Sequence, residues 1–236
     1  MKAGILAAGD GSRLVAAGVA TPKPLVKVGG ISLIERTLQA LIEGGVDEIA
    51  FVVNERMESV IDAVQALHLP VPIHPVIQTT PSSMHSLHAL APWLKNDRFV
   101  LCTVDSVMRT DEFCDFIRAY AFGTELEVLL SYTDFVDDEN PLRITLDGED
   151  RVVGLGAAAQ ASPFVTLGLY GMSPSIFPVL ERAVGEGEQR LRNFLARLLA
   201  AGFNVFGRRI SKGVDVDRLA DVQVAEAFLL EQGGRL

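Results

Sequence analysis

The sequence predicts an α/β layer fold with a mostly parallel sheet and helices on both faces. Two patterns lead there. Short apolar runs end in glycines, prolines or an aspartate, as buried strands do, and the stretches between them space apolar residues at helical intervals. Hydrophobic residues make up 49% of the 236, enough for a sizeable core and too many for a disordered chain.

The elements follow in order. Residues 2–8 are an apolar run that stops at Gly9-Asp10-Gly11, a strand followed by a turn. Residues 32–43 place Leu33, Ile34, Leu38, Leu41 and Ile42 on one helical face and end at Gly44-Gly45. Residues 48–53 form a second buried strand, 57–67 a helix, 72–77 a short strand between prolines, and 83–94 a helix. Residues 98–104 are a strongly apolar strand stopped by Asp105. Residues 110–120 form a helix with Thr110 as its expected N-cap, and 127–132 a strand. Beyond about residue 140 the texture changes. Residues 142–146 and 151–155 flank Asp147-Gly148-Glu149-Asp150 as a hairpin. A strand over 164–172, helices over 175–184 and 189–201, a strand over 203–209 and a closing helix over 216–231 with an apolar stripe complete the chain. The Ala-rich stretch 156–162 reads as a mobile loop. With no repeat, low-complexity tract or linker, residues 1–236 are expected to form one domain.

Charge and composition exclude several functions. The formal net charge is −9 and the longest Lys/Arg run is Arg208-Arg209, so a non-specific nucleic-acid surface is not expected. There is no basic amphipathic helix and no apolar run of membrane-spanning length. The short apolar N-terminus, broken by Asp10 and Arg13, is too brief for a signal-peptide core. Cys102 and Cys114 lack metal-ligand spacing; Cys102 reads as a small core residue. A reducing cytoplasmic setting is expected.

Three segments carry chemistry. In Ala7-Ala8-Gly9-Asp10-Gly11-Ser12-Arg13, small residues leave a strand end where backbone N–H groups can approach a phosphate, and Arg13 offers a fork of donors. Lys23, between two prolines, is a second cation on a stiff segment. This is neither a Walker A loop nor the three-glycine dinucleotide fingerprint; an ordinary βα turn is the plain alternative. Asp105 closes an apolar strand, where ligands of open α/β sheets bind and where a carboxylate can hold Mg²⁺ against phosphates; alone, such an Asp is commonly a cap. Asp215 and Asp217 follow the last strand, where either supplies a second carboxylate or, Asp217 especially, a helix cap.

The segment from Leu6 to Leu14 with Pro22-Lys23-Pro24 resembles the signature of nucleotidyltransferases that make nucleotide-diphospho-sugars and related activated alcohols. Val28-Gly29-Gly30, Leu33, Ile34 and Arg36 continue the likeness. Asp105 falls where that family carries its first Mg²⁺-binding aspartate. Asp215-Val216-Asp217 with Asp221 resembles its closing acidic segment, and Gly168-Leu169-Tyr170 a strand facing the sugar phosphate. The resemblance implies a three-layer, Rossmann-like fold with a mixed, mostly parallel sheet. It also implies attack of a phosphorylated sugar or alcohol on the α-phosphate of a nucleoside triphosphate with loss of pyrophosphate. Alignment and charge neutralisation then supply most of the catalysis. On this reading Arg13 and Lys23 are catalytic, and Ala7, Ala8, Gly9, Gly11, Ser12, Gln78 and Ser83 bind the nucleotide. Gly168, Tyr170 and Lys212 bind the acceptor, about 130–210 forms the acceptor-binding part of the domain, and Asp105 and Asp215 hold Mg²⁺. As loop cations, Lys23 and Arg13 are expected to matter for turnover and little for stability.

Some features depart from the family. Ser83 stands where sugar-nucleotide members have Gly, and Ser82-Ser83-Met84-His85 is closer to cytidylyltransferases acting on phosphocholine-type or inositol-type substrates. The Glu-Lys-Pro of many hexose-1-phosphate enzymes is missing, with Lys212 as a candidate replacement. His68, His74, His85 and His88 are scattered and read as solvent-facing or pocket lining; Trp93 reads as packing. The acidic run Asp134, Asp137, Asp138 and Glu139 reads as a solvated loop, or less simply as a wall selecting a cationic acceptor. Two alternatives stand beside the leading reading: a molybdenum-cofactor nucleotidyltransferase, and a non-catalytic nucleotide-binding regulator on the same fold. The base, the acceptor and homo-oligomerisation are left open by the sequence.

Overall fold

A computed structural model describes residues 1–136 and 140–231; Asp137, Asp138 and Glu139 of the acidic run lie outside them. In chain order the elements are β1 (Lys2–Leu6), α1 (Ser12–Ala16), a 3₁₀ turn (Lys23–Leu25), β2 (Lys27–Val28), β3 (Ile31–Ser32), α2 (Leu33–Glu43), β4 (Glu48–Val53), α3 (Glu58–Ala66), β5 (Ile73–Ile77), α4 (Ser83–Ala89), α5 (Ala91–Leu94), β6 (Phe99–Thr103), β7 (Ser106–Met108) and α6 (Thr110–Phe122). They continue with β8 (Val128–Thr133), β9 (Ile144–Leu146), β10 (Val152–Leu155), a 3₁₀ turn (Gly156–Ala159), β11 (Val165–Met172), α7 (Phe177–Gly185), α8 (Leu191–Ala200), β12 (Val205–Arg209), β13 (Gly213–Asp215) and α9 (Leu219–Leu230).

Seven strands form one sheet in the order β12-β8-β11-β6-β1-β4-β5. Every neighbouring pair is parallel except the two made by β11. The sheet is therefore mixed and mostly parallel, as expected. Strand alternation splits the core in two. On β4, Ile49, Phe51 and Val53 point to one face, where α2, α3, α6 and α9 pack through Leu38, Val60, Phe116 and Phe228. Ala50 and Val52 point to the other, against α4, α5, α7 and α8 through Met84, Leu94, Leu180 and Phe194. Burial on both faces explains why these strands read as continuous apolar runs.

Several boundaries differ from the sequence reading. β1 stops at Leu6, so Ala7 and Ala8 belong to the loop. The helix expected over 83–94 breaks at Leu90, because Pro92 has no N–H to continue it. Gly156–Ser162 is not a structureless loop: Gly156–Ala159 is a 3₁₀ turn with Ala159 buried. The N-cap of α6 is Arg109, not Thr110. The closing helix begins at Leu219, and in place of a single stripe it exposes Leu219 and Leu230 while burying Phe228 and Leu229. Trp93 is half-exposed and stacks on His74 at 4.0 Å. Both cysteines are buried.

Candidate active site

The carboxyl ends of β1 and β6, with residues 80–83 leading into α4, open into a cleft of about 540 Å³. Its floor is the loop after β1. Gly11 adopts φ +58 as the residue before α1, and a Cβ there would stand 3.0 Å from the Cβ of Lys23. Glycine is thus required twice, for the left-handed turn and for the approach of the Lys23 segment. Asn54, buried just past β4, fastens the loop: its Nδ2 donates to the Ala8 carbonyl (3.3 Å) and to Asp10 Oδ1 (3.1 Å). Asn54 was not singled out in the sequence. The available signal was an amide closing an apolar strand at the end where such sheets bind ligands.

Opposite the loop stands a charge network. Lys23 is only 9% exposed and donates to Asp105 Oδ2 at 2.6 Å and to Asp217 Oδ1. Arg13 Nη1 donates to Asp217 Oδ2 at 2.9 Å. Burial alone would lower the Lys23 pKa, but the two carboxylates outweigh it and raise it. Burial likewise opposes ionisation of Asp105, and the Lys23 ammonium reverses this, holding the carboxyl below its ordinary range. Lys23 is therefore a buried, doubly paired cation and not the solvated loop cation expected from the sequence.

A two-strand ribbon brings the C-terminal acids here. β13 pairs antiparallel with β7, setting Asp215 opposite Ser106, and the Val216 N–H donates to the Asp105 carbonyl at 3.0 Å. Asp215 is exposed to the cavity, yet desolvation by the surrounding protein and the facing Asp105 charge push its carboxyl up to about 7. Asp217 is not a helix cap. That work falls to Asp221, whose Oδ2 accepts from the N–H groups of Asp217 (2.9 Å) and Arg218 (2.6 Å), leaving the Asp217 carboxylate for Lys23 and Arg13.

The sequence-predicted residues divide clearly. Ala7, Ala8, Gly9, Gly11, Ser12, Arg13, Lys23, Ser83 and Asp105 line the cleft. Gly168, Tyr170 and Asp215 line a neighbouring cavity of about 200 Å³, which shares Ser83, Thr103 and Asp105 with the cleft. Gly168 is there for close packing, since a Cβ would meet Ser106 Cβ at 3.1 Å and Thr103 Cβ at 3.2 Å. Burial and the charges of Asp215 and Asp105 push the Tyr170 phenol up. Gln78 is exposed at the end of β5 and lines neither cavity. Lys212 lines neither; its Nζ lies over the rings of Phe135 (4.4 Å) and Phe228 (5.0 Å). The second cavity instead holds Arg192, on α8, which no sequence motif marked.

Asp105 and Asp215 are suited to Mg²⁺ by their chemistry. Among the described residues no three acidic, His or Cys side chains form a closed metal cage. Mg²⁺ keeps several waters and binds through one or two carboxylates plus substrate phosphates. A cation would also offset the desolvation and the Asp105 repulsion that raise Asp215.

Known proteins resemble the chain in sequence and in fold. The chain is 31% identical over 232 residues to the bifunctional IPC transferase and DIPP synthase of Rubrobacter xylanophilus, covering 97% of this chain and 52% of that protein. It is 26% identical over 167 residues to a 2-aminoethylphosphonate cytidylyltransferase of Lancefieldella rimae, covering 67% and 66%. The chain thus spans about half the length of the first relative and two-thirds of the second. In fold it resembles the inositol-1-phosphate CTP transferase of T. maritima, with a TM-score of 0.81 at 20% identity over 100% of this chain and 98% of that one. No described helix is long and apolar enough to cross a membrane. With residues 3–201 matching the family model, the chain belongs to the MobA-like NTP transferase domain family.

Proposed function

We propose that this chain is a Mg²⁺-dependent nucleotidyltransferase that transfers a cytidylyl group from CTP to a small acceptor bearing a phosphoryl or phosphonyl group, releasing pyrophosphate. The observation that carries this reading is the network Arg13–Asp217–Lys23–Asp105 between two cavities that share Asp105. The choice of CTP rests on likeness to the 2-aminoethylphosphonate cytidylyltransferase and to the solved inositol-1-phosphate CTP transferase. The two cavities support a single domain in which the N-terminal half holds the nucleotide and about 130–210 the acceptor.

The residues divide the work. The loop from Ala7 to Ser12 offers backbone N–H groups to the triphosphate. Arg13 and Lys23 exchange Asp217 for phosphate oxygens and neutralise the charge that grows on the leaving pyrophosphate. Asp105 and Asp215 hold Mg²⁺, which when bound neutralises phosphate charge and lowers the barrier to attack. The fully ionised acceptor oxygen attacks the α-phosphorus in line, so no general base is required.

The test is thermal shift with CTP, UTP, GTP, ATP and dTTP, with and without Mg²⁺, followed by pyrophosphate release. CTP at about 100 times its Kd should add about 2.7 kcal/mol of stability, and Lys23→Ala should lower turnover by about 100-fold or more. GTP as the sole stabiliser would favour the molybdenum-cofactor alternative. Nucleotide binding without turnover would favour the non-catalytic regulator.

A further inference from the structure

We infer that Asp217 is an internal anion that competes with the triphosphate for Arg13 and Lys23, so that the cleft admits a polyphosphate arriving with a divalent cation and turns away one arriving without. This deepens the proposed function and rests on its assignment of those two side chains to the nucleotide.

The described residues lining the nucleotide cleft include three acids, Asp10, Asp105 and Asp217, against two bases, Arg13 and Lys23. The cleft thus presents more carboxylates than cations to a ligand that is itself strongly anionic. The balance of positive charge has to come with that ligand. Among these acids Asp217 is the one that touches both cations. Its Oδ1 accepts from Lys23 Nζ, and its Oδ2 accepts from Arg13 Nη1 at 2.9 Å. A single carboxylate bridging an ammonium and a guanidinium makes the contacts that a phosphoryl group would make with the same pair. Asp105 meets one of the two, Lys23, and Asp10 accepts from Asn54 instead.

Asp217 is also the partner of Lys23 that is free to turn away. Its side chain is 41% exposed, against 28% for Asp105. Its N–H is held by Asp221 Oδ2 at 2.9 Å, so the backbone stays in place while the short side chain rotates. It lines a further cavity, of about 80 Å³, together with Arg218 and Asp221. One water needs roughly 10–15 Å³, so a displaced carboxylate has room there.

A metal-free polyphosphate must break both charge-assisted hydrogen bonds and then sit beside the carboxylate that made them. Removing the Asp217 charge removes both penalties. A polyphosphate whose charge is already partly neutralised meets less repulsion from the same acid, so Asp217 separates the two forms of the ligand. A carboxylate that only braced the fold would behave differently: its loss would lower stability and bring no gain in polyphosphate affinity.

The experiment is isothermal titration calorimetry on the 236-residue chain, with inorganic tripolyphosphate in EDTA and with CTP plus Mg²⁺. In Asp217→Asn, metal-free tripolyphosphate should bind roughly tenfold or more tighter than in wild type, while CTP with Mg²⁺ gains far less. Asp217→Glu keeps the charge and should stay near wild type. Asp10→Asn removes an equal charge from the same cleft without touching either cation, and should shift tripolyphosphate affinity much less. Urea denaturation checks the folding of each variant, and Asp217→Ser carries the same expectation if Asp217→Asn fails to fold. Unchanged or weaker tripolyphosphate binding without the Asp217 charge overturns the inference and leaves the proposed function standing. So does an equal gain in Asp10→Asn or for CTP with Mg²⁺. No binding of CTP with Mg²⁺ and no pyrophosphate release by wild type overturns both.

Discussion

Replacing Lys23 by Met removes one charge while keeping the stem that packs beside Gly11. Asp105 then loses its counter-ion 2.6 Å away and keeps Asp215 as a like-charged neighbour. Stripping one partner from a buried pair costs about 3–5 kcal/mol; with Asp105 28% exposed, water recovers part, leaving about 2–3 kcal/mol at pH 7. In a chain of this size that is a fall in Tm of about 5–10 °C. The sign with pH follows from the shifts. The depressed Asp105 carboxyl contributes stability above the unfolded value of about 3.9, lost as pH falls through its folded pKa. The raised Lys23 ammonium contributes below about 10.4, lost as pH rises through its own. The cost of Lys23→Met should therefore be full at pH 7 and shrink below about pH 4. The assay is urea denaturation of wild type, Lys23→Met, Asp105→Asn and the double variant without nucleotide or Mg²⁺. The double variant should be more stable than the sum of the single losses predicts, by about 1.5–3 kcal/mol. A Lys23→Met loss under about 0.5 kcal/mol with no coupling would refute the reasoning.

Three more outcomes follow from the packing. Gly171→Ala puts a Cβ 2.5 Å from Cδ2 of Tyr120 and should cost about 1–3 kcal/mol by overpacking; an unchanged melting midpoint would contradict it. Asn54→Ala unfastens the Ala8–Asp10 loop and should raise the KM for CTP several-fold with the acceptor KM unaltered, so equal changes in both would count against a loop-positioning role. Burial pushes the Cys102 thiol well up and Cys114 to about 11, so neither should react with a thiol reagent at pH 8 until the chain unfolds, as a titration in and out of denaturant will show.

The sequence made the proposed nucleotide side legible because it is local. Gly11, Arg13 and Lys23 lie within a dozen residues, each type chosen for a turn or a charge, and Asp105 ends a strand too apolar to mistake. The proposed acceptor side is assembled across long separations, and its residues carry no local signature. Arg192 is one arginine in an amphipathic helix, and only the burial of Leu191 and Leu195 beside it turns it toward the cavity. The three-residue ribbon that sets Asp215 opposite Ser106 is too short to show alternation. Gln78 and Lys212 were assigned by offset and by proximity in the chain, and neither decides which way a side chain faces. Asp217 read as a cap because caps are common before helices; Asp221, four residues on, does that work instead.

The single reversed strand also has an evolutionary consequence. Because β11 runs against its neighbours, its first residues, Val165 to Gly168, emerge where the parallel strands end. The chain arrives there from the β9–β10 hairpin by way of the 3₁₀ turn Gly156–Ala159. The proposed acceptor wall can thus be rewritten by changing a short stretch between two fixed strands, while β1, β4 and β6 keep their register. A scaffold wired this way can trade one acceptor for another by loop exchange without relearning how to bind a nucleotide, and the same seam is where an engineer should cut.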